Sequence, residues 1–220
     1  MATIRENVLQ ILSEMPPGVI VVAAAKSKSA QEIKEALDAG ITAVGENYLQ
    51  ESREVIGAIG NRATWHFIGH VQKNKVKHVV PLFDMVETMD SVELATLIDQ
   101  QAQKYGKIMP VLIEVNIAHE EQKHGAMPED VAALIREISN LPNIRVKGLM
   151  TMGPFLEDPE GLRPYFRQTK ALFDEIKALA LPNVEMDYLS MGMSDSYRIA
   201  IEEGATMVRI GTRIFGPRPN

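Results

Sequence analysis

What most limits the folds open to this chain is an alternation that runs almost from end to end. Short β-type runs fall near 19–25, 41–44, 64–68, 84–88, 109–117, 145–150, 186–190 and 206–210. Helical periodicity fills segments between them, at 30–39, 91–105, 128–140, 162–180 and 194–203. Start and stop residues punctuate the pattern: Asp90-Ser91 precedes one helix, and Gly40 and Gly204 follow two others. Strands that alternate with helices build parallel sheet. Eight such units match a (β/α)8 barrel of the TIM type rather than an open doubly wound sheet. Upstream, Ile4, Val8, Ile11 and Leu12 share one helical face, so an N-terminal helix over 1–15 is expected before a barrel over 19–216. No linker or composition break divides the chain, and a single α/β domain over 1–220 is the expected organisation.

Composition removes several classes of partner. At 220 residues and 45% hydrophobic content, the chain can bury one sizeable core. A net charge of −6, with no basic cluster beyond Lys73-Asn-Lys-Val-Lys77, argues against an extended nucleic-acid footprint. No apolar run approaches the roughly 20 residues that span a bilayer. The first residues lack the apolar region of a secretory signal. Zero cysteines exclude disulfides and thiolate metal sites and fit a reducing compartment. The expectation is a cytoplasmic protein with no nucleic-acid or membrane partner. Without a coiled coil or a broad apolar stripe, a monomer is expected.

Function in such a barrel collects where strands end. The run Val19-Ile-Val-Val-Ala-Ala-Ala25 delivers Lys26 to that position. A lysine there is either a solvated charge or, once desolvated, an amine able to form a Schiff base with a carbonyl. Most other strand ends are polar and glycine-rich. They are Gly45-Glu-Asn47-Tyr48, His66 with Gly69-His70, Asn116, Met150-Thr-Met-Gly153, Ser190-Met-Gly-Met-Ser194 and Gly211-Thr212. The fourth strand ends in Glu87-Thr88, which carries little signal.

The last two loops give the sharpest physical signal. Barrels seat phosphate after strands seven and eight, on backbone N–H groups and a helix N-terminus. Gly192 and Gly211 admit close approach, and Ser194 and Thr212 offer hydroxyls. On the plainer reading, the glycines only turn the chain and Ser194 only caps the helix before Asp195. Arg209, alone among the apolar residues of Thr206-Met-Val-Arg-Ile210, needs either a carboxylate partner or a ligand atom at the mouth. His66 and His70 straddle a strand exit, which does not suit a metal pair. The segment His119-Glu-Glu-Gln-Lys-His124 reads as a solvated loop without metal spacing. The methionines near strands six to eight read as adaptable packing.

Six ordered blocks carry a family resemblance. They are Val21-Val-Ala-Ala-Ala-Lys26, Gly45-Glu-Asn-Tyr-Leu-Gln-Glu51, Trp65-His-Phe-Ile-Gly-His-Val-Gln-Lys-Asn-Lys75, Leu149-Met-Thr-Met152, Leu189-Ser-Met-Gly-Met-Ser-Asp195 and Glu202 through Gly216. Over almost its whole length the chain resembles the YggS family of pyridoxal phosphate homeostasis proteins. The resemblance implies the barrel of the alanine racemase N-terminal domain without that enzyme's β-domain. It implies pyridoxal 5'-phosphate (PLP) as cofactor, with Lys26 as its Schiff-base lysine. Ser194, Gly211 and Thr212 would bind the phosphate, and Arg209 would face the pyridine nitrogen. Asn47, His66, Met150 and Ser190 would form the nearer pocket wall. Two departures stand out: Ala25 and Ser29 where the family usually has Ser or Thr and Pro, and Ser196 where a second acid is frequent.

The implied role is to hold PLP, with PLP-dependent apoenzymes as its recipients and with little or no catalysis. An arginine at the pyridine nitrogen disfavours ring protonation and weakens PLP as an electron sink. Racemisation needs acid/base groups on both faces of the substrate carbon. The resemblance assigns the second-face tyrosine to the domain that this chain is expected to lack. The alternatives are an amino-acid racemase drawing its second base from His66 or Tyr48, and a Schiff-base aldolase acting on a sugar phosphate.

Overall fold

The computed structural model describes residues 2–217, so the expected domain bounds of 1–220 reach outside the described residues at both ends. Helix α1 (Ile4–Ser13) opens on a capping box. The Thr3 side chain accepts from the Glu6 amide, and the Glu6 carboxylate accepts from the Thr3 amide. Eight strands follow: β1 (Ile20–Ala24), β2 (Ala43–Glu46), β3 (Thr64–Phe67), β4 (Met85–Met89), β5 (Met109–Glu114), β6 (Ile144–Met150), β7 (Val184–Ser190) and β8 (Met207–Ile210). After each in turn comes one helix: α2 (Ala30–Asp38), α3 (Leu49–Ile59), α4 (Val76–Val79), α5 (Val92–Lys104), α6 (Pro128–Ile138), α7 (Arg163–Ala178), α8 (Tyr197–Glu202) and α9 (Thr212–Phe215). Every neighbouring pair is parallel, and β8 returns to β1 to close the sheet. The fold is the expected (β/α)8 barrel preceded by a helix. Among the described residues, no helix is long and apolar enough to cross a membrane.

Three strands depart from their expected limits by two residues or more, β7 by starting at Val184 instead of 186. β2 begins at Ala43 instead of residue 41, because the Ile41 amide still closes the end of α2 on the Ala36 carbonyl at 3.1 Å. β5 ends at Glu114 instead of 117. Beyond it, the Asn116 side chain brackets a loop through the Glu120 carbonyl and amide, at 2.9 and 3.1 Å.

The two faces of the strands bury two cores. Outward-facing residues such as Val21, Ala23, Val44 and Ile113 pack under the helices. Val22, Ala43, Met85, Leu112, Met150 and Met207 fill the barrel interior. Strand side chains alternate, so the residue two positions on points inward one layer nearer the mouth. That step turns Met85 into Glu87, Leu112 into Glu114 and Met207 into Arg209. The apolar floor therefore carries a charged layer.

Gly148 marks where β6 and β7 approach most closely. Its φ is +150°, the β6–β7 register shifts there, and a Cβ would lie 1.7 Å from the Tyr188 carbonyl oxygen. Gly148→Ala should destabilise the barrel by about 3 kcal/mol or more, read from urea unfolding. Gly57→Ala, in the exposed last turn of α3 with no neighbour within 4 Å, should instead stabilise by about 0.5–1 kcal/mol. Equal effects would contradict this packing of β6 on β7.

Candidate functional site

The mouth is built on a buried arginine. Arg209 Nη1 donates to Ser190 Oγ at 2.6 Å, and Nη2 donates to the Thr151 carbonyl at 2.8 Å. Ser190 Oγ in turn donates to Glu87 Oε2 at 2.7 Å. Glu87 Oε1 accepts from His66 Nδ1 at 2.6 Å, and Glu87 Oε2 lies 4.0 Å from Arg209 Nη1. His66, Glu87, Ser190 and Arg209 are all buried. Strands β3, β4, β7 and β8 are thereby joined across the barrel by one polar network.

Burial alone would raise the Glu87 carboxyl, but the His66 hydrogen bond, the charges of His66 and Arg209 and the Ser190 hydroxyl together hold it below its ordinary value. An ionised Glu87 only accepts, so the proton of His66 in this contact sits on Nδ1. Burial pulls the Arg209 guanidinium down from its ordinary range, against the opposing charges of Glu87 and Glu114. Burial also raises Glu114, helped by Asp90, to about 7. Glu46, the outward end residue of β2, is raised to about 8 by burial and then by Glu51.

Above this network lies a cavity of about 490 Å³. It brings together Lys26, Asn47, Ser194, Arg209, Gly211 and Thr212. Lys26 shares the inward parity of Val22 and Ala24, and its Nζ lies 4.8 Å from the centre of the Tyr48 ring. The chain turns sharply behind it: Ser27 has φ +60°, and its amide donates to Glu51 Oε2 at 3.1 Å. Ser29 then opens α2 with a capping box to Glu32, the local use of the serine at a position where the resembling family usually has proline.

Two strands round the barrel from β1, in the loop after β7, Gly192 has φ +89° and would place a Cβ 2.5 Å from that of Ala200. The loop after β7 is thus fixed by a residue that only glycine suits. Ser194 does not cap α8, which begins later with Ser196 before it. Its Oγ instead meets the Arg213 amide at 3.4 Å, linking the loops after β7 and β8. Ser196 Oγ accepts from the Met193 amide at 3.1 Å.

His66, Met150 and Ser190, expected on the pocket wall, lie in the floor beneath the cavity. His66 and Ser190 belong to the arginine network, and Met150 packs in the apolar layer. Met152, two residues on from Met150, lines the cavity with Met193. Glu87 is the member of the Arg209 network that the strand-end reading missed. The alternation that places Arg209 inward also places Glu87 inward, two residues after the interior Met85. For Arg209 the two readings combine: it has its carboxylate and also faces the cavity.

Glu87→Gln removes the first of the two carboxylates that oppose the buried guanidinium, so it should cost about 3–5 kcal/mol at pH 7 in urea unfolding. Because the folded carboxyl sits below its ordinary 4.5, its contribution is complete above that value and fades as pH falls through the lower folded value. The gap between parent and variant should therefore shrink in acid. A gap absent at pH 7, or growing in acid, would contradict the pairing.

The likenesses to known proteins agree with one another. A family model described as alanine racemase, N-terminal domain, matches residues 1–219. The pyridoxal phosphate homeostasis protein of Aquifex aeolicus is 42% identical over 199 residues, 90% of this chain and 86% of that protein. That of Pasteurella multocida is 39% identical over 224 residues, 99% and 96% of the two chains. The structure of PipY from Synechococcus elongatus PCC7942 with PLP bound superposes with a TM-score of 0.89 at 31% identity, covering 97% of this chain and 100% of that one. The chain belongs to the family of the alanine racemase N-terminal domain and, within it, to the pyridoxal phosphate homeostasis proteins.

Proposed function

We propose that the chain binds PLP at this mouth, as a Schiff base on Lys26, and takes part in intracellular PLP homeostasis with little or no catalysis. One observation carries the reading: Lys26, Arg209 and the loop residues Ser194, Gly211 and Thr212 line the same cavity. The donor set fits the group. An amine, hydroxyl and backbone donors from the neighbouring loops, and a donor-only guanidinium all line one cavity. The relatives in Aquifex aeolicus and Pasteurella multocida bear the name pyridoxal phosphate homeostasis protein, and PipY has PLP bound, which supports the assignment.

When bound, PLP would supply an aldehyde that a lysine amine can hold reversibly. Lys26 provides that amine. Ser194, Gly211 and Thr212 hold the phosphate, with hydroxyls and with backbone that the glycine keeps close. Arg209, at the floor of the cavity, would face the ring nitrogen. A guanidinium has no acceptor, and this one is tied to Ser190 and Thr151, so it offers the ring a hydrogen bond and disfavours a proton there. Asn47 borders the site, while His66 and Ser190 hold Arg209 from beneath through Glu87 and Met150 packs the layer below.

The same residues favour holding over racemisation. His66 is committed to Glu87 below the cavity, and Tyr48 packs over the Lys26 amine itself. Neither stands as a free second base across a substrate carbon. The same reading takes residues 1–220 as one unit, a cytoplasmic monomer that passes PLP to PLP-dependent apoenzymes.

Protein mixed with PLP should show a visible absorption band that borohydride abolishes, and peptide mass spectrometry should map the reduced adduct to Lys26. Lys26→Ala should lack the band. Trapping on another residue, or an unchanged band in Lys26→Ala, would overturn the site. Amino acids incubated with the loaded protein should exchange little α-hydrogen for deuterium, and rapid exchange would defeat the holding role.

A further inference from the structure

The structure assigns a divalent transition-metal site to His70, Asp90 and His124, at the barrel mouth but outside the cavity that holds Lys26. The three residues stand on the loops after β3, β4 and β5. One ligand-type atom from each lies within 4.8 Å of the other two. The two imidazoles stack, with centroids 3.7 Å apart and planes 9° from parallel.

Such a stack is repulsive if both rings are charged, and as neutral rings they present lone pairs. Among the described residues, Asp90 makes no side-chain hydrogen bond or ion pair with either ring, so the three groups converge without satisfying one another. Donor atoms about 2.0–2.2 Å from a shared zinc ion sit roughly 3–4 Å apart. In the stack the ring lone pairs lie in near-parallel planes, so binding one ion requires the two imidazoles to turn out of the stack toward it. Two imidazole nitrogens and one carboxylate suit Zn²⁺ and its first-row neighbours rather than Mg²⁺ or Ca²⁺.

A second observation points to a ligand at the same place. His70 and His124 line a cavity of about 220 Å³ that Glu114 also lines. Glu114 is 7% exposed, and its Oε2 has no hydrogen-bond partner. A buried carboxyl oxygen left unpartnered in the lining of the cavity that both imidazoles also line calls for a ligand there, a cation or a water bound to one.

The site is also held in place. Asn116 brackets the loop leading to His124, and Lys123 donates to the Gly153 carbonyl at 2.9 Å while pairing with Glu120 at 2.5 Å. This cavity shares Asn47, Ile68 and Met152 with the one above Arg209. A bound ion would therefore tie three loops together beside the proposed cofactor seat. With three protein ligands it would keep an open coordination position.

The test uses the full chain after dialysis against a chelator. Calorimetric titration should show one equivalent of saturable Zn²⁺ binding, and Co²⁺ in its place should give the visible absorption of a protein-bound ion. His70→Ala and His124→Gln should each weaken Zn²⁺ binding at least about tenfold and remove the Co²⁺ band, with circular dichroism unchanged. His124 is exposed, so His124→Gln decides the matter if His70→Ala does not fold. Absence of saturable Zn²⁺ binding, or undiminished affinity in His124→Gln, would overturn the assignment.

Discussion

A positive charge buried inside the barrel is the constraint around which this mouth is arranged. Arg209 cannot give up its proton, so the fold must supply compensation from elsewhere in the chain. It comes from Glu87 on the far side of the barrel, relayed through Ser190, and from the Thr151 carbonyl. His66 then completes the second oxygen of Glu87. Removal of any one member leaves another polar group buried and unpaired, so the network resists piecemeal change. It also fixes the direction in which the guanidinium presents itself upward.

Above that floor the lining is held by backbone geometry more than by side-chain hydrogen bonds. Lys26 stands on a turn with a left-handed Ser27, and the facing loop depends on Gly192 for its close passage against α8. Met152 and Met193 border the cavity with flexible thioether side chains, and Phe155 beside them is largely exposed. A hydrogen-bonded polar floor beneath a rim that mixes thioethers with polar side chains suits a group held in one orientation. A site made for repeated proton transfer needs its acid/base groups at the reacting atoms instead.

Much of this architecture is legible in the sequence because parallel barrel strands are short, apolar and regularly spaced. The eight strands, the inward lysine and the glycine-bearing last loops follow from periodicity and from where strands end. Other features depend on contacts between distant segments. The start of β2 shifts because Ile41 finishes the preceding turn, a choice that apolarity alone does not encode. Ser194 resembles a helix cap by position, yet the helix begins later and the hydroxyl serves the neighbouring loop. Glu87 was within reach of the two-residue alternation that exposes Arg209. The stacking of His70 on His124 was not, since only closure of the barrel brings those loops together.

The central claim is that Arg209, locked by its network, keeps the proposed cofactor's ring nitrogen unprotonated and so favours storage over chemistry. The most direct measurement is the ¹⁵N chemical shift of that nitrogen in labelled PLP bound to the protein. A shift in the range of a hydrogen-bonded, unprotonated pyridine, constant across neutral pH, is the result predicted. A pyridinium shift in the folded, loaded protein would contradict the account.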